Sequence, residues 1–308
     1  VITVAGISPS LDLTYLVESL RLGAIHRPTS VVRCAGGKSL NLARAATAVG
    51  ADVTVVAILG GQTGTGLARS LAAAGIEVVA VDTPAETRTC VSIAAADTGE
   101  LTEVYEYAPE IPVAVWQRFA AQTGEALAGR TGWLAVSGGA PSGLHPTALA
   151  ELVRLGRRHG VKVAVDSHSA ALPAAVDAGP DLVKVNRAEA ADLLGLAVET
   201  ELVRMAEAIR ERTGGMVVLT DGDGGAVGVD DQGAVRVGLP PLRGRFPVGS
   251  GDSFLGGLLA SLDAGGSLAE SLALATACGV ANALVPGPGQ FDPAAVADLR
   301  GQVVAVRE

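Results

Sequence analysis

The chain has 308 residues, 49% hydrophobic, 18% charged and only 3% aromatic, with 40 glycines and a formal net charge of −9. That acidity excludes a general nucleic-acid binder, which would need clustered lysine and arginine, so any phosphate must be met by a few placed cations and backbone N–H groups. A core of Ala, Val and Leu suits helices laid on a parallel sheet better than a β-sandwich.

Cys34, Cys90 and Cys278 are odd in number, far apart and without metal-ligand spacing, which predicts a reducing compartment rather than a disulfide scaffold. No basic-then-apolar leader precedes the first strand, and no uncharged apolar run reaches about 18 residues. The expectation is a cytoplasmic protein with no membrane partner.

Val1–Ile7 reads as a buried strand. The next stretch, to Arg33, holds short β-compatible pieces, Leu13–Val17 and Ser30–Arg33, divided by Gly23 and Pro28, as if inserted after the first core strand. A glycine turn then opens a helix over Leu40–Val49, followed by a strand at Val53–Leu59, a second glycine turn, a helix through Ala74 and a strand at Ile76–Val81. This strand, turn, helix rhythm marks a doubly wound parallel sheet. A hairpin, Arg88–Ala95 with Leu101–Tyr107, interrupts it at Asp97-Thr98-Gly99.

The rhythm resumes with a helix over Val113–Ala128 and strands at Trp133–Ser137, Val161–Asp166 and Leu182–Val185. A helix over Glu199–Arg212, a strand at Met216–Thr220 and the hairpin Ala226–Val229 with Ala234–Val237 follow. Three helices close the chain: Gly251–Ala264, Leu268–Val285 and Pro293–Gly301. The pattern predicts one α/β domain over 1–308, carrying a small β insertion from about 10–33 and 87–107.

Several stretches carry candidate chemistry. Gly249-Ser250-Gly251-Asp252 sits where a loop becomes a helix, and the free N–H groups and dipole of such a turn attract anions. Asp252 is the odd member, open to two readings: a helix-start residue or a base beside a phosphate. Gly36-Gly37-Lys38, with Asn41 one turn on, sets a cation at a second helix start, where it is unhelpful to the helix unless an anion lies opposite. Asp12 reads as a turn residue and Arg88 as a solvated strand arginine unless a ligand meets them.

Lys184-Val185-Asn186-Arg187-Ala188-Glu189 ends a strand, the edge on which α/β sheets place ligands. Asn186 and Glu189 have capping-box spacing, and their oxygens also suit Mg²⁺ and its waters. Thr220-Asp221-Gly222-Asp223-Gly224-Gly225 is a strand with a glycine turn, a weak motif alone. Asn282 breaks a small-residue stripe and fits either a base-binding pocket or a core amide bonded to backbone. His168, in Asp166-Ser167-His168-Ser169, has no Ser or Cys nucleophile motif beside it, which favours a structural role over a general base.

Taken in order, these stretches resemble the PfkB-type (ribokinase-like) sugar kinases, in the phosphosugar branch of 1-phosphofructokinase and tagatose-6-phosphate kinase. Ser8-Pro9-Ser10-Leu11-Asp12 is similar to the branch's Asn-Pro-Ala-Leu-Asp, and Gly36 to Ala43 to its Gly-Gly-Lys-Gly-x-Asn-Val-Ala. Glu86-Thr87-Arg88 matches Glu-Thr-Arg, Lys184 to Glu189 matches Lys-x-Asn-x-x-Glu, and Val248 to Ser253 resembles Gly-Ala-Gly-Asp-Ser after its first residue. The resemblance covers nearly the whole chain and reverses the reading of Asp252.

It implies a doubly wound, mostly parallel sheet flanked by helices with a β lid, and ATP-dependent phosphoryl transfer to a sugar hydroxyl. Asp252 would accept the hydroxyl proton while N–H groups of Gly249, Ser250 and Gly251 stabilise the moving phosphoryl. Lys38 and Arg88 would hold the substrate's phosphate, and Asp12, Gly37 and Asn41 its hydroxyls. Lys184, Asn186, Thr220, Gly222, Gly225 and Asn282 would serve the nucleotide, with Asn186 and Glu189 on Mg²⁺ through water.

The lid would exclude water and could pair between subunits in a homodimer. Departures gather on the acceptor side: Ser8 for Asn, Ser39 for Gly, Cys90 for Asn, and Glu106-Tyr107-Ala108-Pro109 for Glu-Pro-Gly-Pro. Fructose 1-phosphate is the first acceptor expected. Alternatives are tagatose 6-phosphate, fructose 6-phosphate, a phosphorylated cyclitol, a free sugar or nucleoside, or a non-catalytic binding protein.

Overall fold

Successive residues of the central strands point to opposite faces, and both faces are apolar: Val4 and Val55 pack on one side, Ala5 and Val56 on the other. A strand buried on both sides needs helices above and below it, and the glycine turns supply the crossings. A computed structural model describes residues 1–168 and 170–308. Ser169, the last of the His168 quartet, lies outside the described residues.

In chain order, β1 (Ile2–Gly6) leads into β2 (Ser10–Val17) and β3 (Ser30–Gly36), then α1 (Lys38–Ala48), β4 (Val53–Leu59), α2 (Gly61–Ala73) and β5 (Glu77–Asp82). Next come β6 (Thr89–Ala95), β7 (Leu101–Tyr105), α3 (Val113–Leu127), β8 (Trp133–Ser137), α4 (Ala148–Arg158), β9 (Lys162–Asp166), α5 (Ala171–Asp177) and β10 (Leu182–Asn186). The chain continues through α6 (Arg187–Leu194), α7 (Leu202–Thr213), β11 (Met216–Thr220), β12 (Ala226–Asp230) and β13 (Gly233–Val237). It ends with α8 (Ser250–Asp263), α9 (Leu268–Leu284), α10 (Pro293–Arg300) and β14 (Ala305–Arg307).

The large sheet runs β14-β13-β12-β11-β10-β9-β8-β1-β4-β5 and is parallel from β11 to β5. After β5 the chain crosses back to β8 on the far side of β1, so the strand order reverses between β1 and β8. At such a switch point the loops diverge and leave a crevice at the C-terminal strand ends. A second sheet, β3-β2-β6-β7, stands on that edge.

Asp12 is in the middle of β2, not in a turn as expected. Its strand is paired on both sides, with Asp12 opposite Cys34 of β3 and Cys90 of β6. That double pairing keeps the segment extended from Ser10 onward. Helices α4, α5 and α6 and the strand β14 add to the elements expected. In α4, Leu149, Leu152 and Val153 line a fully buried stripe, as amphipathic spacing requires.

Helix α8 is wedged between α1 and α9, and two adjacent glycines permit it. A β-carbon at Gly256 would come within 2.7 Å of Leu42 O, and one at Gly257 within 2.7 Å of Cys278 Sγ. Close backbone approach on both flanks fixes the N-terminus of α8 at the crevice. Among the described residues no helix is long and apolar enough to cross a membrane.

Candidate active site

The crevice is centred on Asp166, a completely buried carboxylate at the end of β9. Its Oδ1 meets Lys38 Nζ at 3.4 Å and its Oδ2 meets Lys184 Nζ at 3.4 Å. Burial works to raise the Asp166 carboxyl, but Lys184 and Lys38 outweigh it and hold the group below the usual carboxylate range. For Lys38, burial opposes the charge and is outweighed by Asp166, Asp252 and Glu189, so its ammonium is raised. In the sequence Asp166 figures as a strand end and as the first residue of the His168 quartet, with no role of its own. The signal was its place at the C-terminal edge of a core strand.

Asp252 occupies the first turn of α8 and is 7% exposed. Burial, reinforced by the nearby Asp166 charge, pushes its carboxyl up to about 6 against the lowering pull of Asn41, Lys38 and Lys184. Asn41 Nδ2 donates to Asp252 Oδ2 at 2.9 Å, while Asn41 Oδ1 is buried with no partner among the described residues. Such an orphaned acceptor is costly unless a ligand donates to it.

The turn before α8 depends on glycine. Gly249 has φ 80°, and a β-carbon there would collide with Pro288. The Ser250 N–H donates to Pro247 O at 3.0 Å and so is engaged within the turn. The N–H groups of Gly249, Gly251 and Asp252 have no protein acceptor among the described residues. Lys184 Nζ lies 3.2 Å from where a β-carbon on Gly251 would stand, so the ammonium sits close over this turn. Open amides and an ammonium together make an anion site.

Asn282 takes the second of its two expected readings, a core amide bonded to backbone. It is fully buried, its Nδ2 donates to Val248 O at 2.8 Å and to Ser250 Oγ at 3.2 Å, and its Oδ1 accepts from Gly289 N at 2.7 Å. The amide is consumed in bracing the loop from behind and does not face the cleft. Thr220, Gly222, Gly225, Ser250 and Gly251 border one cleft of about 420 Å³, walled by Phe254, Gly279 and Leu242. Its mixed apolar walls and glycine edges suit a flat base and a phosphate chain.

On the other side, Asp12 Oδ1 accepts from Ser10 Oγ at 2.6 Å and Oδ2 accepts from Gly37 N at 3.4 Å. Burial raises the Asp12 carboxyl despite those bonds. A β-carbon on Gly36 would collide with this carboxylate, and Gly37, at φ 82°, begins α1. Arg88 Nη1 donates to Glu106 O at 3.2 Å and Nη2 to Ser8 O at 3.4 Å, so it is not merely solvated.

Asn186 and Glu189 form a reciprocal capping box: Glu189 N donates to Asn186 Oδ1 at 2.9 Å, and Asn186 N to Glu189 Oε2 at 2.8 Å. Glu189 Oε1 remains over. Among the described residues no cluster of three or more His, Cys, Asp or Glu could hold a bare metal ion. The donors fit a hard ion held through its waters.

The chain is similar to known proteins over nearly its whole length. The profile of the pfkB family carbohydrate kinases matches residues 2–295. The chain belongs to that family. It is therefore an ATP-dependent sugar kinase. A 1-phosphofructokinase of Rhodobacter capsulatus is 34% identical over 279 residues, covering 90% of this chain and 88% of the relative. A tagatose-6-phosphate kinase of Staphylococcus epidermidis is 27% identical over 291 residues, covering 93% of each. The phosphofructokinase-2 of Escherichia coli, solved in complex with potassium, superposes with a TM-score of 0.90 at 27% identity, covering 98% of both chains. The fold is the ribokinase-like one.

Proposed function

We propose that this pfkB kinase transfers the γ-phosphoryl of Mg-ATP to a hydroxyl of a phosphorylated sugar, with fructose 1-phosphate, giving fructose 1,6-bisphosphate, as first acceptor. The observation that carries the reading is Asp252: a buried carboxylate at an open helix N-terminus, bonded on one side to Asn41 and flanked on the other by Lys184. As the acceptor oxygen attacks phosphorus, Asp252 takes its proton. The N–H groups of Gly249 and Gly251, joined by that of Asp252, hold the phosphoryl oxygens with Lys184. Thr220, Gly222 and Gly225 edge the nucleotide cleft, and Asn282 secures its loop.

Asn186 and Glu189 would hold Mg²⁺ through water, and the ion would neutralise charge on the transferring phosphates. Lys38 and Arg88 hold the phosphate already on the acceptor, and Asp12, Gly37 and the free Oδ1 of Asn41 orient its hydroxyls. The sheet β3-β2-β6-β7 serves as a lid against water, the competing acceptor. Its edge strand β7 leaves Val104 and Tyr105 exposed, which supports lid-to-lid pairing in a homodimer.

The 1-phosphofructokinase relative supports fructose 1-phosphate, and the tagatose-6-phosphate kinase relative supports a second acceptor, tagatose 6-phosphate. An ADP-release assay with Mg-ATP and both sugars, fructose 6-phosphate, free hexoses and nucleosides tests the reading, with Asp252→Asn as control. Turnover on one phosphosugar that disappears in the variant is expected; preference for a free sugar or nucleoside would sink it.

A further inference from the structure

The acceptor side of the crevice has a continuous border. Arg88 Nη2 donates to Ser8 O, and that carbonyl lies 2.8 Å from where a β-carbon on Gly37 would stand. Lys38 follows, its Cβ 4.0 Å from the β-carbon position of Gly138. At Gly139 the border meets His168: a β-carbon there would lie 3.1 Å from both Cε1 and Nε2 of the imidazole. The ring tip thus occupies the volume that a side chain at 139 would fill. Ser167 Oγ donates to Gly138 O at 2.9 Å and Gly138 N to Asp166 O at 2.8 Å, so the loops after β8 and β9 are tied together beneath the ring. His168 itself is exposed.

The two cations assigned to the acceptor phosphate are already engaged. Lys38 leans on Asp166, and two Arg88 nitrogens are bonded to carbonyls. A phosphate with several acceptor oxygens has room for another donor, and Nε2 of an imidazole can donate in either charge state when that nitrogen carries the proton.

We infer that His168 is a further acceptor-binding residue, donating from Nε2 to the phosphate already on the sugar and so favouring phosphorylated over free sugars. This rests on the phosphosugar reading. His168 lies outside the nucleotide cleft, so its effect is on KM for the acceptor.

The test measures kcat and KM in wild type, His168→Ala and His168→Asn. Fructose 1-phosphate, tagatose 6-phosphate and fructose 6-phosphate are each set against the free hexose at saturating Mg-ATP. His168→Ala is expected to raise KM for the preferred phosphosugar about tenfold, as loss of one hydrogen bond to a charged group implies. Its kcat, its KM for ATP and any weak use of the hexose stay at wild-type values, and His168→Asn, which keeps an N–H donor, recovers part of the loss. An unchanged phosphosugar KM in His168→Ala, or equal losses on phosphosugar and hexose, overturns the inference. A misfolded Ala variant would lose ATP binding as well, and His168→Phe, which keeps a ring over Gly139 but has no donor, then decides: no rise in phosphosugar KM overturns the inference, and a selective rise supports it. Wild-type enzyme that uses hexoses as readily as phosphosugars overturns the phosphosugar reading itself, and shows as such before any variant is made.

Discussion

In the proposed reaction the two sides of the crevice would recognise phosphate by different means. At the start of α8 the groups are main-chain N–H groups, held by Gly249 and Gly251 and braced by a buried Asn282. On the acceptor side they are long side chains, Arg88 and Lys38, each leaning on a neighbour. Backbone recognition tolerates a change of side chain, such as Ser250 in a loop whose side chain faces Asn282. Side-chain recognition can be retuned by one substitution. The donor side is therefore suited to one constant reaction, and the acceptor side to a choice of sugar.

The comparison is tested most severely at Asp252. Removing a general base costs about 10² to 10⁴ in rate, so Asp252→Asn is expected to lose that much kcat while KM for the sugar moves little. A comparable loss in KM alone would place Asp252 with the acceptor-binding groups instead.

Asp166 couples the two sides, since its partners Lys38 and Lys184 belong to one each. Stripping the counter-charge from the buried Lys184 and the half-buried Lys38 destabilises by about 3–5 kcal/mol in comparable cases, and chemical denaturation of Asp166→Asn should read that loss. The same variant has a kinetic signature. Asp252 is neutral below its raised value of about 6 and cannot take a proton, so kcat/KM rises with pH through that value. With the Asp166 charge gone, that limb should move to lower pH; an unmoved limb would show that the carboxylates do not interact.

Arg88→Ala is expected to raise KM for a phosphosugar about 10- to 100-fold, the range for a charge-assisted bond, with kcat nearly kept. Steady-state kinetics with a phosphosugar and its free hexose reads this, and equal effects on both would argue that Arg88 shapes the lid only. The smallest effect is expected at Gly249→Ala. A left-handed backbone and the contact with Pro288 should cost about 1–2 kcal/mol, visible as a lower Tm without a change in acceptor preference.

Much of the donor side was legible in sequence because its signals are local. Glycines beside one acidic residue at a loop-to-helix boundary imply an anion-binding turn whatever packs behind it. The reciprocal cap of Asn186 and Glu189 was legible for the same reason, being made within three residues. Asn282 was visible as a polar break in an apolar stripe, but only packing shows that the loop 246–250 and Gly289 consume its amide. Asp12 was misplaced into a turn because its extended backbone is imposed by strands on both sides.

By itself the sequence determined the alternation of buried strands and helices, the glycine turns and the family motifs, since periodicity, backbone freedom and short-range capping are properties of neighbouring residues. The tertiary structure alone decided that Asp166 binds two lysines, 128 and 18 residues away, that Asn41 reaches Asp252 across 211 residues, and that His168 stands over Gly139. Those placements follow from the reversal of strand order between β1 and β8, which brings distant strand ends to one crevice where burial and charge can set each group's chemistry.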